Sequence, residues 1–446
     1  MQPVSAGQPL SGGIEPSAPT ERPAEQPLSE GMGASAPTER PAGQPLSEGM
    51  GPQSAGRQPL PGTTGAESSI PKKRLASLDI LRGMDLFLLT VLGPFMLLLA
   101  ATGDFPWLAP VAKQLEHVTW EGFRLWDLIM PLFMFLSGVT IPFSLGKYMG
   151  GPRKFGPVYG RILKRCLLLW LLGMVVQGQL LDLDVKTFRY FSNTLQSIAV
   201  GYLFSCIFFL HVPWKGQAGI AAGLLAAYWA AMMFLSVDGF GGGDFTPQKN
   251  LCEYIDRIVL GSHRDMAATA PDGTAVFYPG YTYTWILSSL NFIVTVMTGM
   301  FAGEILRSGR SEKAKMKTLL FIGLAMTAGG WLWHLQMPVI KRIWTSSMVL
   351  VASGYSFLLL AGIYYIVDYK GWGGGLEWLK VFGMNSIVAY LMAEIVHLES
   401  LPNFLLRGLH RFVSPEWFAF FTGICCIGLN WAVLALLYRR KKFIRL

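Results

Sequence analysis

The chain has 446 residues, of which 52% are hydrophobic and 15% charged, against roughly a quarter charged in an ordinary soluble domain. Its formal charge of +9 is carried largely by Lys and Arg in short segments beside apolar runs, a pattern of membrane topology and not of a nucleic-acid footprint. Composition therefore sets aside a soluble globular protein and a nucleic-acid partner, and makes lipid the expected solvent.

Residues 1–70 are dominated by Pro, Gly, Ser, Ala and Glu and cannot bury enough apolar surface to offset the entropy of ordering, so a disordered tail is expected. Within it Gln8–Ala24 recurs as Gln26–Ala42, and a third copy starts at Gln44. So Pro-rich a period does not build a solenoid, and no basic stretch followed by an apolar core marks a secretory signal. A linker or tether is the reading.

Apolar runs then follow at Met84–Ala101, Leu125–Leu145, Ile162–Leu181, Leu195–Leu210, Ala218–Leu235, Trp285–Leu306, Thr318–Leu335, Trp344–Val367, Leu379–Val396 and Phe418–Tyr438. Each is long enough, or nearly so, to cross a hydrocarbon core of about 30 Å. The expectation is an all-α polytopic integral membrane protein with about ten transmembrane helices in one unit, residues 71–446. The 50 Gly and 14 Trp residues suit close helix packing and aromatic anchoring at the interfaces.

Orientation follows from the loops. Lys72, Lys73 and Arg74 precede the first run, Lys147, Arg153, Lys154, Arg161, Lys164 and Arg165 crowd the connection after the second, and Arg307–Lys317 and Arg439–Arg445 are likewise basic. All four belong in the cytoplasm, which puts both termini there. The connections Thr102–Arg124, Asp182–Thr194, Val237–Thr284 and His397–Trp417 then face outward and hold most of the loop acids. Lys341 and Arg342 are an exception on that side and mark a local role.

Ionisable groups in or beside spans are functional candidates because burying charge in lipid is costly. Asp79, Arg82 and Asp85 are three apart, so on a helix Arg82 reaches either carboxylate. This is either a structural ion pair or an arginine kept for the anionic group of a ligand. In HVTWEGFRLWDLIMPLFMF, His117 stands just before the second run, near Glu116, Glu121 and Asp127, and Pro131 at i+4 from Asp127 suggests a kink there. A histidine so placed is either a satisfied interfacial residue or a proton-transfer group.

The remaining buried polar residues are Asn193, Gln196, Asn291, Glu304, Asn385, Ser386, Tyr390, Glu394 and His397, of the kind that mostly joins helices. Gly299 and Gly303 form a packing motif. Cys166, Cys206, Cys425 and Cys426 lie in apolar runs and Cys252 in a polar loop, with no disulfide framework. His211, His263, His334 and His410 show no metal-ligand spacing, so no metal is expected.

Six ordered blocks, SLDILRG (Ser77–Gly83), His117–Phe135, LQSIAVGY (Leu195–Tyr202), YIDRIVLG (Tyr254–Gly261), GMNSIVAY (Gly383–Tyr390) and YRRKKF (Tyr438–Phe443), together resemble the transmembrane acyltransferases related to heparan-α-glucosaminide N-acetyltransferase, in a bacterial-type form. The resemblance spans about residues 75–446. It implies an enzyme that moves an acetyl group from cytosolic acetyl-CoA, without a metal, to an amino sugar or other glycan acceptor on the outer face, by O- or N-acyl transfer. It implies a bacterial inner (plasma) membrane as the location and lipid, donor and acceptor as partners, and leaves a homodimer open. Carried over, the active-site histidine of the HxxWxG block is His117. Gly93 stands where the family has an asparagine, and Ala393-Glu394 where it has His-Glu, so the sugar itself is not carried over with the chemistry.

Acyl transfer from a thioester needs a deprotonated nucleophile and a stabilised oxyanion. His117 is then a general base or itself the acetyl acceptor, and both routes stay open. Asp127 is assigned to orienting or charge-stabilising His117. Arg82, with the basic inner loops, is assigned to the CoA phosphates, and Asp79, Asn291, Asn385 and Ser386 complete the cofactor-binding set, the last three as cavity lining. Two other classes remain in view: a secondary transporter, against which stands the lack of an internal repeat, and a non-catalytic membrane protein of an envelope-glycan pathway.

Overall fold

The computed structural model describes residues 75–103, 105–149, 156–396 and 398–444. The tail expected to be disordered, residues 1–70, lies outside the described residues, as do His397, Arg153, Lys154 and Arg445.

The described chain is helical apart from two short hairpins, Ser236–Val237 with Phe240–Gly241 and Ala267–Thr269 with Ala275–Phe277. Among the described residues, eight helical stretches are long and apolar enough to cross a membrane: Ala76–Ala101, Leu125–Tyr148, Thr194–His211, Trp214–Phe234, Ser289–Arg307, Glu312–Trp333, Ser346–Tyr369 and Pro415–Arg439. The chain is an all-α polytopic membrane protein. Two of the ten expected runs fall short of that measure for visible reasons. The helix Gly156–Val176 is 21 residues long but carries Arg161, Lys164 and Arg165 in its first half. The ninth run is broken at Asn385, whose backbone leaves the helical region (φ −121°, ψ 43°), into Lys380–Met384 and Ser386–Ile395.

The first helix starts at Ala76, so Asp79, Arg82 and Asp85 lie on it and not in a leader before it. It widens to a π-helical turn over Leu88–Leu92 before Gly93 and Pro94. Pro94 has no N–H for the carbonyl four residues back, and the wider turn absorbs that loss. In the second span the expected kink at Asp127 is instead a helix start: Leu125–Leu128 is a 3-10 turn and the α-helix begins at Ile129. Pro131 then sits in the first α-helical turn, where a missing N–H costs nothing.

Glycines let the central helices touch backbone to backbone. A Cβ at Gly299 or Gly303 would run into the carbonyls of Phe135 and Val139, and one at Gly138 into that of Val296. The helices Ile129–Val139 and Ser289–Arg307 therefore cross at close range, as small residues permit where lipid supplies no hydrophobic drive. The same holds for Gly83 against Leu379 and Gly383 against Asp79, which clamps the first helix to Lys380–Met384. Around these crossings lies an apolar core that includes Phe135, Phe292, Trp344 and Phe357.

Candidate active site

Asp127 is the N3 residue of the turn that opens the second span, and its carboxylate reaches back to accept the backbone N–H of Arg124 at 3.0 Å. It also takes the N–H of Val118 at 3.4 Å, and its Oδ1 lies in hydrogen-bond contact with Nδ1 of His117 at 2.7 Å. Asp127 is 1% exposed, whereas the side chain of His117 is 47% exposed. One edge of the imidazole is thus anchored in the protein, while about half of the side chain remains exposed. Of the two other nearby acids, Glu116 pairs with Arg124 at 3.7 Å and Glu121 lies 3.6 Å from His334, so neither competes for His117.

Lys341, the charge that ran against the topology pattern, completes the cluster. Its Nζ lies 3.6 Å from Asp127 Oδ1 and 3.3 Å from His117 Nδ1, and the residue is 6% exposed. The segment between two spans that carries it is pinned from several sides. Gly122 donates its N–H to the Val339 carbonyl at 2.8 Å, and the Thr345 hydroxyl donates to Pro338 O at 2.9 Å. Trp344, buried and at φ 52°, occupies the left-handed region that bulky residues avoid. It is held there by its indole N–H to Thr295 Oγ1 at 3.0 Å and by Asn291 Nδ2 to its carbonyl at 2.7 Å.

His117 and Lys341 border a cavity of about 700 Å³. Its wall also includes Trp126, Arg189, Asp265, Tyr283, Tyr390 and Glu394. Arg189 pairs with Asp265 at 3.4 Å, joining the segment after Gly156–Val176 to the large polar loop. A second cavity of about 490 Å³ is lined by Arg82, Arg165, Thr140, Ser144, Ser386 and Ile444. Phe133, Thr194 and Tyr390 border both. Tyr390 is positioned by Asn193, whose Nδ2 donates to its hydroxyl at 3.1 Å and to Gln177 Oε1 at 3.0 Å, while Asn193 Oδ1 caps the next helix through Leu195 N.

The residues singled out from sequence separate into groups. His117 and Asp127 are in direct contact. Arg82 and Ser386 border the second cavity, and Asp79 stands 4.0 Å from Arg82. Asn385 is buried between two lining residues and accepts the Ile444 N–H at 3.1 Å. Asn291 borders neither cavity; it is fully buried and spends its amide on the Trp344 carbonyl and, at 3.3 Å, on Ser346 Oγ. Asp85, fully buried, has no hydrogen-bond partner at either carboxyl oxygen among the described residues. Sequence reasoning named Arg165 only among the basic inner loops assigned to the CoA phosphates, and did not assign roles to Lys341 or the Arg189–Asp265 pair. Only Lys341 gave a signal, as a cation on the side where acids prevail.

A family model described as "Heparan-alpha-glucosaminide N-acetyltransferase, catalytic" matches residues 74–248, a stretch that contains both His117 and Asp127. The chain is related to the heparan-alpha-glucosaminide N-acetyltransferases. The human protein of that name is 27% identical over 376 residues, covering 74% of this chain and 54% of the relative. The mouse protein is 24% identical over 328 residues, covering 63% of this chain and 49% of the relative. The chain thus spans about half the length of the curated relatives it matches. At Gly93 a Cβ would meet the ring of Trp126. The missing side chain is the space that this cavity-lining indole fills.

Proposed function

We propose that the protein is a membrane acyltransferase that passes an acetyl group from acetyl-CoA, entering at the basic cytoplasmic end, to an amino sugar or other glycan acceptor at the His117 end. The observation that supports the reading is the pair of neighbouring cavities that share Phe133, Thr194 and Tyr390 as lining residues. In the proposed reading a passage beside these three side chains lets a donor and an acceptor meet from opposite ends. Arg82 and Arg165, with Ser386 and Asn385 nearby, suit the anionic end of a nucleotide thioester, since guanidinium groups match phosphate geometry. Asp79 holds Arg82 toward that cavity, and Asn291 supports the Lys341 segment. Residues 1–70 serve as a tether, and both ends of the membrane unit 71–446 lie in the cytoplasm.

In this mechanism Nε2 of His117 takes the proton of the acceptor amine or hydroxyl as the new C–N or C–O bond forms. The C–S bond breaks, and the proton finally rests on the departing CoA thiolate. In the two-step alternative the acetyl group rests first on Nε2. Asp127 acts through His117 by fixing the ring, a positioning role in either route.

The test is transfer of label from radioactive acetyl-CoA to a panel of amino-sugar acceptors in membranes carrying the wild type or His117→Ala. A drop of at least about 10²-fold in the variant is expected. Equal transfer by the two would remove His117 from the chemistry. Movement of a solute without acyl-CoA, and no transfer to any acceptor, would favour a transporter.

A further inference from the structure

A carboxylate buried as deeply as Asp127 takes up a proton unless a counter-charge holds it ionised. Arg124, three residues before it in sequence, offers its backbone N–H to this carboxylate and points its guanidinium at Glu116 and the His117 carbonyl. The cation in contact with Asp127 is Lys341, 224 residues from His117 in sequence.

The charge state of Asp127 decides which ring nitrogen of His117 holds the proton. An ionised carboxylate only accepts, so a partner 2.7 Å away must be Nδ1–H, and the lone pair of neutral imidazole is then on Nε2. A protonated carboxyl would instead donate to Nδ1 and leave Nε2 as an N–H, which is neither base nor nucleophile. Lys341 has no lone pair to meet at Nδ1 in the first arrangement, and its 3.3 Å approach to that atom is a consequence of sharing Asp127.

We infer that Lys341 is a positioning residue that keeps Asp127 ionised and thereby fixes His117 as the Nδ1–H tautomer, with the Nε2 lone pair available to the cavity. Its side chain borders the 700 Å³ cavity but acts through the other two residues. The inference rests on the proposed role of His117 only where turnover is the readout.

The experiment uses the full-length protein in lipid bilayers with ¹⁵N-labelled histidine, with His117→Ala identifying the resonances of His117. In the wild type Nε2 carries the unprotonated-nitrogen signal. In Lys341→Met that signal moves to Nδ1, while in Lys341→Arg, which keeps the charge, it stays on Nε2. An unchanged tautomer in Lys341→Met overturns the inference. In turnover, Lys341→Met lowers kcat by about 10²-fold or more with little change in KM, and the double variant Asp127→Asn/Lys341→Met is no slower than Asp127→Asn alone. A full additional loss in the double variant also overturns it, because a purely structural lysine would matter whichever residue stands at 127. Should Lys341→Met not fold, the double variant, with both charges gone, still makes that comparison. If the tautomer switches as expected but the wild type transfers acetyl to no acceptor, the inference about Lys341 stands and the acyltransferase reading falls.

Discussion

Asp127 shows how little sequence separates a functional group from a liability. A lone buried carboxylate is costly in a membrane protein, and here two backbone N–H groups, an imidazole and an ammonium offset that cost. Asp85, an equally buried acid on the first helix, has no hydrogen-bond partner at its carboxyl among the described residues. Gly93 belongs to the same scale. A methyl group there would meet the ring of Trp126, and overpacking of this kind costs about 1–3 kcal/mol. Because Trp126 borders the cavity of His117 and not the other, Gly93→Ala is expected to raise KM for the acceptor while leaving KM for acetyl-CoA nearly unchanged. Steady-state kinetics with each substrate varied in turn checks this; a change confined to acetyl-CoA would place Trp126 on the donor side.

At the scale of elements, the polar loop between Val237 and Thr284 is fastened to the membrane helices by Asp256. From the helix Leu251–Leu260, this carboxyl accepts the N–H groups of Trp285 at 2.8 Å and Ile286 at 3.0 Å, just before the span that starts at Ser289. Burial pushes its pKa up to about 7, although the N–H groups of Ile286 and Trp285 and the charge of Arg264 pull the other way. The folded value lies above the 3.8 of an ordinary aspartate, so the carboxyl's contribution to stability is fully present below about pH 4 and is lost as pH rises through about 7. The thermal midpoint should therefore fall between about pH 5 and about pH 8, and less steeply in Asp256→Asn, which cannot ionise. Parallel curves for the two proteins would mean that Asp256 is already ionised throughout that range. The glycine contacts that lock Ile129–Val139 to Ser289–Arg307 act on the same scale, and the spacing of Gly299 and Gly303 announced them, since four residues return to one helix face.

For the molecule as a whole, the proposed function turns on a junction between the two cavities, which share Phe133, Thr194 and Tyr390 as lining residues. Thr194 stands at that junction, at the start of its helix, where a larger side chain can be accepted without breaking the helix. Thr194→Trp should close the route: acetyl transfer is lost while folding, judged by thermal midpoint, and retention of acetyl-CoA are kept. Undiminished transfer in that variant would show that donor and acceptor do not meet through this passage.

The sequence by itself determined eight of its ten expected spanning segments, and it supplied the charge pattern behind the side assignment and the His117–Asp127 candidate. These rest on local quantities: the length of an apolar run, the excess of charge beside it, and two residues ten apart around the start of one helix. Even there the proline expected to kink the second span instead sits in its first α-helical turn, because the distinction depends on where the preceding loop turns. Only the tertiary structure brought Lys341 to Asp127, turned Asn291 toward Trp344 and set the two cavities beside one another. Each of these depends on how helices distant in sequence cross and on a loop held at a backbone angle that Trp344 would not adopt alone. Contacts of that kind are set by packing over hundreds of residues, and no window of sequence contains them.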